Sequence, residues 1–326
     1  MRIGKSLGSL RRNIVAVACS CVFLIILGFV WSGMEVRSFS SIRKSYRPSD
    51  VWVVDRNGFP LESVRTRSEK RSLDWVAWSD VSPAFRDLLV RAEDRRFYSH
   101  LGVDFLALLK AAWERVRGKS QRGASTITMQ LTGLIQDAKV SRRRSPWQKL
   151  NQITSALKLN SHWSKEEILE AYVNLVSFRG ELIGLRAASL GYLGKNPSGL
   201  VKEEAALLVA LLRSPNAPLE LVAKRACLIL DTTDCRSVQN LAQQTFSKSY
   251  RLSRPRQLVP VVAKYFVEDG PNKSIIQTSL DHRIQELALG ALREQLRNLK
   301  KQNVNDGAVL VMDSQSGRVV AYVANA

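Results

Sequence analysis

EDRRFYSHLGVD, Glu93 to Asp104, sets a lone glutamate at a helix end beside arginines, aromatic residues and a glycine turn. The helix leading into it is signalled by Ser82 as N-cap and Pro83 in the first turn, with Phe85, Leu88, Leu89 and Ala92 as its apolar face. Glu93 therefore stands where a buried helix meets a polar turn. Partial burial there raises a carboxylate's pKa while Arg95 and Arg96 lower it, so the group is tunable near neutral pH. Taken alone, the run reads equally well as a charged surface helix end.

The chain has 326 residues, enough for one sizeable domain with smaller attachments, and a formal net charge of +20. That charge calls for an anionic partner: nucleic acid, phospholipid headgroups or a phosphorylated substrate. The N-terminus separates these. Arg2, Lys5, Arg11 and Arg12 precede an uncharged, largely apolar run from Asn13 to Met34, long enough to cross a bilayer and with no small-residue cleavage site after Trp31. An uncleaved single-pass anchor in the cytoplasmic (inner) membrane is expected, with the bulk of the chain on the periplasmic or outer side. Arg37, Arg43, Lys44 and Arg47 on the far flank weaken the charge bias that would orient it. Nucleic acid is not an expected partner, since the anchor removes the chain from the cytoplasm and no recognised binding motif appears. Cys227 and Cys235 are spaced to close a small disulfide loop or to remain buried thiols. There is no CxxC or HExxH pattern and His100, His162 and His282 are scattered, so no structural metal is expected.

The chain divides into a tail and span (1–34), a stalk with a small β element (35–75), a helical core (76–225), a polar linker with some helix (226–275) and a closing segment (276–326). In the β element, VWVVDRNGFPL turns at Asn57 and Gly58 between two short strands. In the core, Ser164 and Glu167 form a capping box ahead of Ile168, Leu169, Tyr172 and Val173. In the closing segment Asp281 caps a helix carrying Ile284, Leu287, Ala288, Ala291 and Leu296, and GAVLVMDSQSGRVVAYVANA reads as strand, turn, strand. An apolar strand at the chain end leaves backbone groups to be paired, as in the first piece of a larger sheet. The expected class is mainly α with a short C-terminal α+β fragment.

After Glu93 comes GASTITMQ, Gly123 to Gln130, where Ser125 can cap a helix with Ile127, Leu131, Leu134 and Ile135 inward. Thr126 and Gln130 share another face, which suits hydrogen bonding to sugar or phosphate and equally suits solvent. Farther on, Lys149, Gln152 and Ala156 fall on one helical face, opposite Leu150, Ile153 and Leu157. EDRRFYSHLGVD, GASTITMQ and then SKEEILEAYVN, in this order, closely resemble the peptidoglycan glycosyltransferase domain of class A penicillin-binding proteins, glycosyltransferase family 51. The resemblance runs from about Val51 to the C-terminus, and Met129 with QKLNQ, Gln148 to Gln152, looks like the penicillin-binding protein 1C branch.

The resemblance implies a lysozyme-like glycosyltransferase domain behind an N-terminal transmembrane helix, polymerising lipid II outside the membrane. It implies Glu93 as the general base on the acceptor's 4-hydroxyl. Asp94, Arg95, Phe97, Ser125, Thr126, Gln130, Arg144, Lys149, Gln152 and Asn174 become the substrate-binding candidates, Arg144 and Lys149 for the pyrophosphate. The implied partners are lipid II, the growing glycan strand, membrane lipids and cell-wall synthesis proteins. No cofactor is required, and a divalent cation, Mg or Mn, at the pyrophosphate is compatible with the scheme. Several positions depart from the family. Gln152 replaces a second glutamate and cannot exchange protons. Gly133 stands for a cation, Arg179 for a glycine after Phe178, and Leu212 for a proline. TSLDHRIQELALGAL and the final hairpin resemble the opening of a transpeptidase domain whose catalytic parts are absent, and SxxK at Ser41 to Lys44 has no SxN or KTG partner. Two other readings stay open: a lytic glycosidase on the same scaffold, and an inactive, truncated relative that acts as a membrane-bound assembly partner.

Overall fold

The computed structural model describes residues 28, 36–117, 125–136, 146–233, 235–252, 257–269 and 274–324. The expected membrane span, 13–34, lies outside them apart from Gly28, and among the described residues no helix is long and apolar enough to cross a membrane. The described chain is mainly helical and forms two compact units. Among the described residues, one comprises those up to Lys44 with Ala77–Ser79 and those within Phe85–Val176; the other comprises Ser45–Val76, Asp80–Ala84 and those from Ser177 onward.

The first unit holds α1 (Phe39–Ser45), most of α2 (Pro83–Glu93), then α3 (Phe105–Val116), α4 (Ile127–Ile135), α5 (Pro146–His162) and α6 (Lys165–Leu175). Its helix starts are local chemistry. Ser164 accepts the Glu167 N–H while the Glu167 carboxylate accepts the Ser164 N–H, closing the expected capping box. Helix α4 starts one residue later than expected: Thr126, not Ser125, is its N-cap and takes the Met129 N–H at 3.1 Å. Phe85, Leu88 and Leu89 of α2 are fully buried, whereas Ala92 is exposed, so the apolar face stops a turn before Glu93.

In the second unit, β1 (Asp50–Val54) and β2 (Pro60–Arg65) form the expected antiparallel hairpin. Asp55 ties its turn, accepting the Asn57 N–H at 2.7 Å and the Phe59 N–H at 2.8 Å, and Gly58 takes φ 86°. A third strand, β5 (Ile275–Gln277), joins β1 in parallel. The short strands β3 (Arg71–Ser72) and β4 (Leu182–Ile183) also pair in parallel. Helices α7 (Leu185–Leu193), α8 (Lys202–Leu212), α9 (Leu219–Leu230), α10 (Arg236–Phe246) and α11 (Pro260–Asp269) follow. The stretch expected as linker thus carries two full helices; Val238, Ala242 and Phe246 of α10 are buried. Cys227 and Cys235 are joined as a disulfide that staples the end of α9 to the start of α10.

Helix α12 (His282–Leu299) is capped by Asp281 as expected and packs on the hairpin β6 (Ala308–Met312) and β7 (Val319–Ala324). Its inward face is shifted from the expected one. Leu287 and Ala291 are exposed, and Ala288 and Leu292 are the buried pair, with Ile284 and Leu296 beside them. Gln285 is fully buried because its amide is satisfied on every side: it donates to the Leu258 and Tyr322 carbonyls and accepts the Tyr322 N–H, each at 2.8 Å.

Candidate active site

Glu93 is the last residue of α2 and is half-buried. The loop after it is tied to itself and to its neighbours. The Asp94 carboxylate, 4 % exposed, accepts His100 Nε2–H at 2.9 Å and the first N–H of α4, Ile127, at 3.0 Å. The tautomer follows from the other nitrogen, since Nδ1 takes the Gly102 N–H at 3.1 Å and Nε2 must then carry the proton. Arg96 sets its guanidinium on Asp104 at 2.9 and 2.7 Å, and Asp104 also accepts the Ala107 N–H, starting α3. Burial pushes the Asp104 carboxyl up, but the Ala107 N–H and the Arg96 guanidinium outweigh it and hold the group below the usual carboxylate range. Arg96 therefore neutralises Asp104, where the sequence suggested it would act on Glu93.

Two more contacts fix this loop. Lys165 donates to the His100 carbonyl and to Asn160 Oδ1, each at 2.7 Å, and lies 4.6 Å from the Phe97 ring centre; burial lowers its pKa, opposed by the charge of Asp94. Gly102 has φ 91° and a Cβ there would stand 2.5 Å from the Ala156 carbonyl oxygen, so no other residue fits. The Gly102 carbonyl in turn accepts Thr126 Oγ1 at 2.6 Å. The glutamate helix, the loop, α4 and α5 are thus locked together.

The Gln130 amide donates to Glu93 Oε2 at 3.0 Å, and its own oxygen accepts the Tyr172 hydroxyl at 2.8 Å. Tyr172 is completely buried, and burial first, then the nearby charge of Glu93, pushes its pKa well above the ordinary value. Its hydroxyl stays a donor at any working pH. It therefore sets which way the amide points, and the amide orients the carboxylate.

Glu93, Asp94, Arg95, Ser125 and Thr126 all line one cavity of about 590 Å³, together with Arg96, Asp104 and the α3 residues Ala107, Lys110, Ala111 and Glu114. The remaining candidates are placed differently. Phe97 is fully buried and offers no surface to a ligand. Thr126, though at the cavity wall, is 2 % exposed and both bonds of its hydroxyl go to the scaffold. Asn174 is 2 % exposed, with its amide on the Glu170 carbonyl at 2.8 Å. Gln152 and Ala156 face inward, contrary to expectation, while Ile153 and Leu157 pack inward as expected: Ala156 packs with Val103 and Met129, Ile153 and Leu157 lie against the same cluster, and Gln152 donates to the Met129 carbonyl at 2.5 Å. A carboxylate at 152 would set acceptor against acceptor there. Lys149 is exposed on α5 and does not line the cavity, and Arg144 lies outside the described residues. Arg179, in the second unit, donates to the Ala217 carbonyl at 2.8 Å, and Leu212 is buried in α8.

Sequence reasoning missed Tyr172, Lys110 and Glu114 as site residues. The spacing 107, 110, 111, 114 is a helical stripe, but only the packing of α3 shows that this stripe faces the cavity. Among the described residues, no group of three or more His, Cys, Asp and Glu side chains comes together to hold a metal ion. The acidic and basic groups at the wall can instead handle a proton at Glu93 and negative charge at Arg95 and Lys110.

The site has relatives. The chain is 35% identical over 165 residues to a biosynthetic peptidoglycan transglycosylase of Haemophilus influenzae (strain PittEE), covering 49% of this chain and 68% of that protein. It is 32% identical over 229 residues to penicillin-binding protein 1C of Escherichia coli (strain K12), covering 65% of this chain and spanning 29% of that longer protein. The crystal structure of penicillin-binding protein 1A from Haemophilus influenzae aligns at 15% identity with a TM-score of 0.35, over 83% of this chain and 32% of that one, too remote to carry an argument. Residues 59–234 match the family model described as Transglycosylase, and the chain belongs to that family.

Proposed function

We propose that this chain is a peptidoglycan glycosyltransferase that polymerises lipid II by inverting transfer on a lysozyme-like scaffold. The observation that carries this reading is Glu93, held by Gln130 at 3.0 Å on the wall of a cavity that also presents Arg95 and Lys110. Glu93 takes the proton from the acceptor's 4-hydroxyl as that oxygen attacks the donor's anomeric carbon. The bond to the pyrophosphate oxygen breaks, and undecaprenyl pyrophosphate leaves with the electron pair. Cations at the cavity wall stabilise that charge as it develops. No step needs a metal, and none is assigned.

Membrane attachment belongs to the same proposal. The apolar run 13–34 is the anchor, and Tyr98, Leu101, Phe105, Leu106, Leu109 and Trp113, all more than half exposed along α3 and the loop before it, form an apolar surface beside the cavity. A lipid-linked donor and surrounding membrane lipids are what such a surface suits, with the catalytic part on the periplasmic or outer side. The test is polymerisation of labelled lipid II by the purified chain and by Glu93→Gln. The wild type is expected to build glycan and the variant to lose at least about a hundredfold in rate while keeping its melting temperature. Undiminished polymerisation by the variant would remove Glu93 from the chemistry. Release of fragments from finished peptidoglycan, without polymerisation, would point instead to a lytic enzyme.

A further inference from the structure

We propose that the C-terminal end of α12 carries a separate anion site, built from Arg293, Arg297 and Lys300, that takes a phosphate ester. The site lies in the second unit and does not rest on the glycosyltransferase reading. The three cations line one cavity of about 500 Å³ together with Leu296, Val304 and Asn305, and no carboxylate among the described residues lines it. Their spacing brings them together. At about 100° per residue, positions 293, 297 and 300 fall within about 60° of arc, next to Leu296 at the border of the packed face. The other wall comes from the returning chain. Helix α12 runs into a 3-10 turn at Lys300–Gln302, and Asn303, in left-handed backbone at φ 60°, turns the chain back. Gly307 then passes so close to α12 that a Cβ there would stand 2.8 Å from Leu292 Cδ1, so the segment holding Val304 and Asn305 is pressed against the helix end.

Like charges one turn apart repel, and the usual relief is missing. Glu294 and Asp306 are close in sequence, yet Arg293, Arg297 and Lys300 make no ion pair among the described residues. Arg297 Nε donates to the Arg293 carbonyl at 3.3 Å, which anchors the guanidinium and leaves both terminal nitrogens without a partner among the described residues. The C-terminal end of a helix dipole attracts cations, but it amounts to only about half an elementary charge. It accounts for a basic last turn and not for three cations around one cavity. Arginine forks beside a lysine match phosphate: the planar guanidinium gives two parallel bonds to its oxygens, and the ammonium adds a point charge. Leu296 and Val304 give the carbon skeleton of an ester an apolar wall that a bare inorganic ion does not use. Two sources share this chemistry, the headgroup of an anionic membrane lipid and a soluble phosphate ester.

The test titrates the full chain in a neutral detergent with inorganic phosphate, glycerol 3-phosphate and short-chain phosphatidylglycerol, with calorimetry as the readout. The wild type is expected to bind the esters more tightly than inorganic phosphate. Arg297→Gln should weaken ester binding about tenfold, and Arg297→Lys, which keeps the charge and loses the fork, should fall between the two. Replacing Arg293, Arg297 and Lys300 together by glutamine should weaken it about a hundredfold or more, with the melting temperature unchanged because all three side chains are exposed. Arg283→Gln, on the same helix but outside the cavity, should leave binding as it is. Undiminished ester binding by the triple variant overturns the proposal, and so does a wild type that binds none of the three probes, which would leave a solvated basic helix end. Tighter binding of inorganic phosphate than of both esters overturns the assignment to an ester. Tighter binding of phosphatidylglycerol than of glycerol 3-phosphate supports the site with a membrane lipid as its source; equal or tighter binding of glycerol 3-phosphate supports it with a soluble ester.

Discussion

The stretches on either side of Asp104 wall the same cavity and treat their side chains in opposite ways. From Asp94 to Asp104 nearly every polar group is tied: Asp94 to His100 and Ile127, Arg96 to Asp104, and the His100 carbonyl to Lys165. From Phe105 to Val116, Lys110 and Glu114 have no partner among the described residues, and Leu106, Leu109 and Trp113 face outward. The difference teaches which residues can act on a ligand. The loop is the frame that fixes Glu93 in place, because satisfied buried polar groups specify one geometry. Helix α3 is the wall with free chemistry, where an incoming molecule meets Lys110 and Glu114, although the Trp113 ring is already covered by the Arg117 guanidinium at 4.6 Å.

The frame breaks most severely at Gly102. Gly102→Ala forces a side chain into left-handed backbone at φ 91° and against the Ala156 carbonyl, and the Thr126 bond to the Gly102 carbonyl goes with it. We expect a loss of about 3 kcal/mol or more in urea unfolding of the full chain. A loss under about 1 kcal/mol would mean that the loop is not locked to α5.

A smaller effect separates the Arg96 and Asp104 pair from the rest. The folded Asp104 pKa lies below its unfolded value, so this group adds stability above the unfolded pKa of about 4 and that contribution disappears as pH falls through the folded pKa. Arg96 is 45% exposed, so solvent screens the pair and the contribution is about 1 kcal/mol. Asp104→Asn should therefore be less stable than wild type at pH 7, and the gap should close below about pH 4. A gap that stays constant with pH would assign the loss to packing and not to charge.

The parts of the frame legible in the sequence are those decided within a few residues. Ser164 with Glu167, Asp281, and Asn57 with Gly58 each carry their own hydrogen-bonding instructions, and the structure follows them. The N-cap of α4 is ambiguous by one residue in the sequence, because Ser125 and Thr126 have the same capping chemistry and only the long-range bond to Gly102 distinguishes them. The pairing of β1 with β5 joins residues more than two hundred positions apart and has no local signal. On α5 the inward packing of Ile153 and Leu157 is legible, but Gln152 reads as a polar-face residue because nothing local signals the Met129 carbonyl opposite it. Glu93 was legible by motif; the Tyr172 hydroxyl that aligns its partner Gln130 was hidden, because a tyrosine at a buried helical position reads as core.

The smallest predicted effect tests the contrast within α3 itself. Leu108 packs against the cluster of Val103, Met129 and Ala156, while its neighbour Leu109 is 68% exposed. A turn of about 100° between adjacent residues takes the side chain from the frame to the outer surface. Leu108→Ala should cost about 2 kcal/mol, because it removes methyl groups from a packed cluster that cannot fully collapse. Leu109→Ala should change stability by less than about 0.5 kcal/mol, since its side chain contributes no packing in the free protein and alanine is the better helix former. Urea unfolding of both variants in the same detergent gives the two numbers directly. If Leu109→Ala costs as much as Leu108→Ala, then the outward face of α3 is packed in the free protein, and an apolar ligand chain has no surface there to bind.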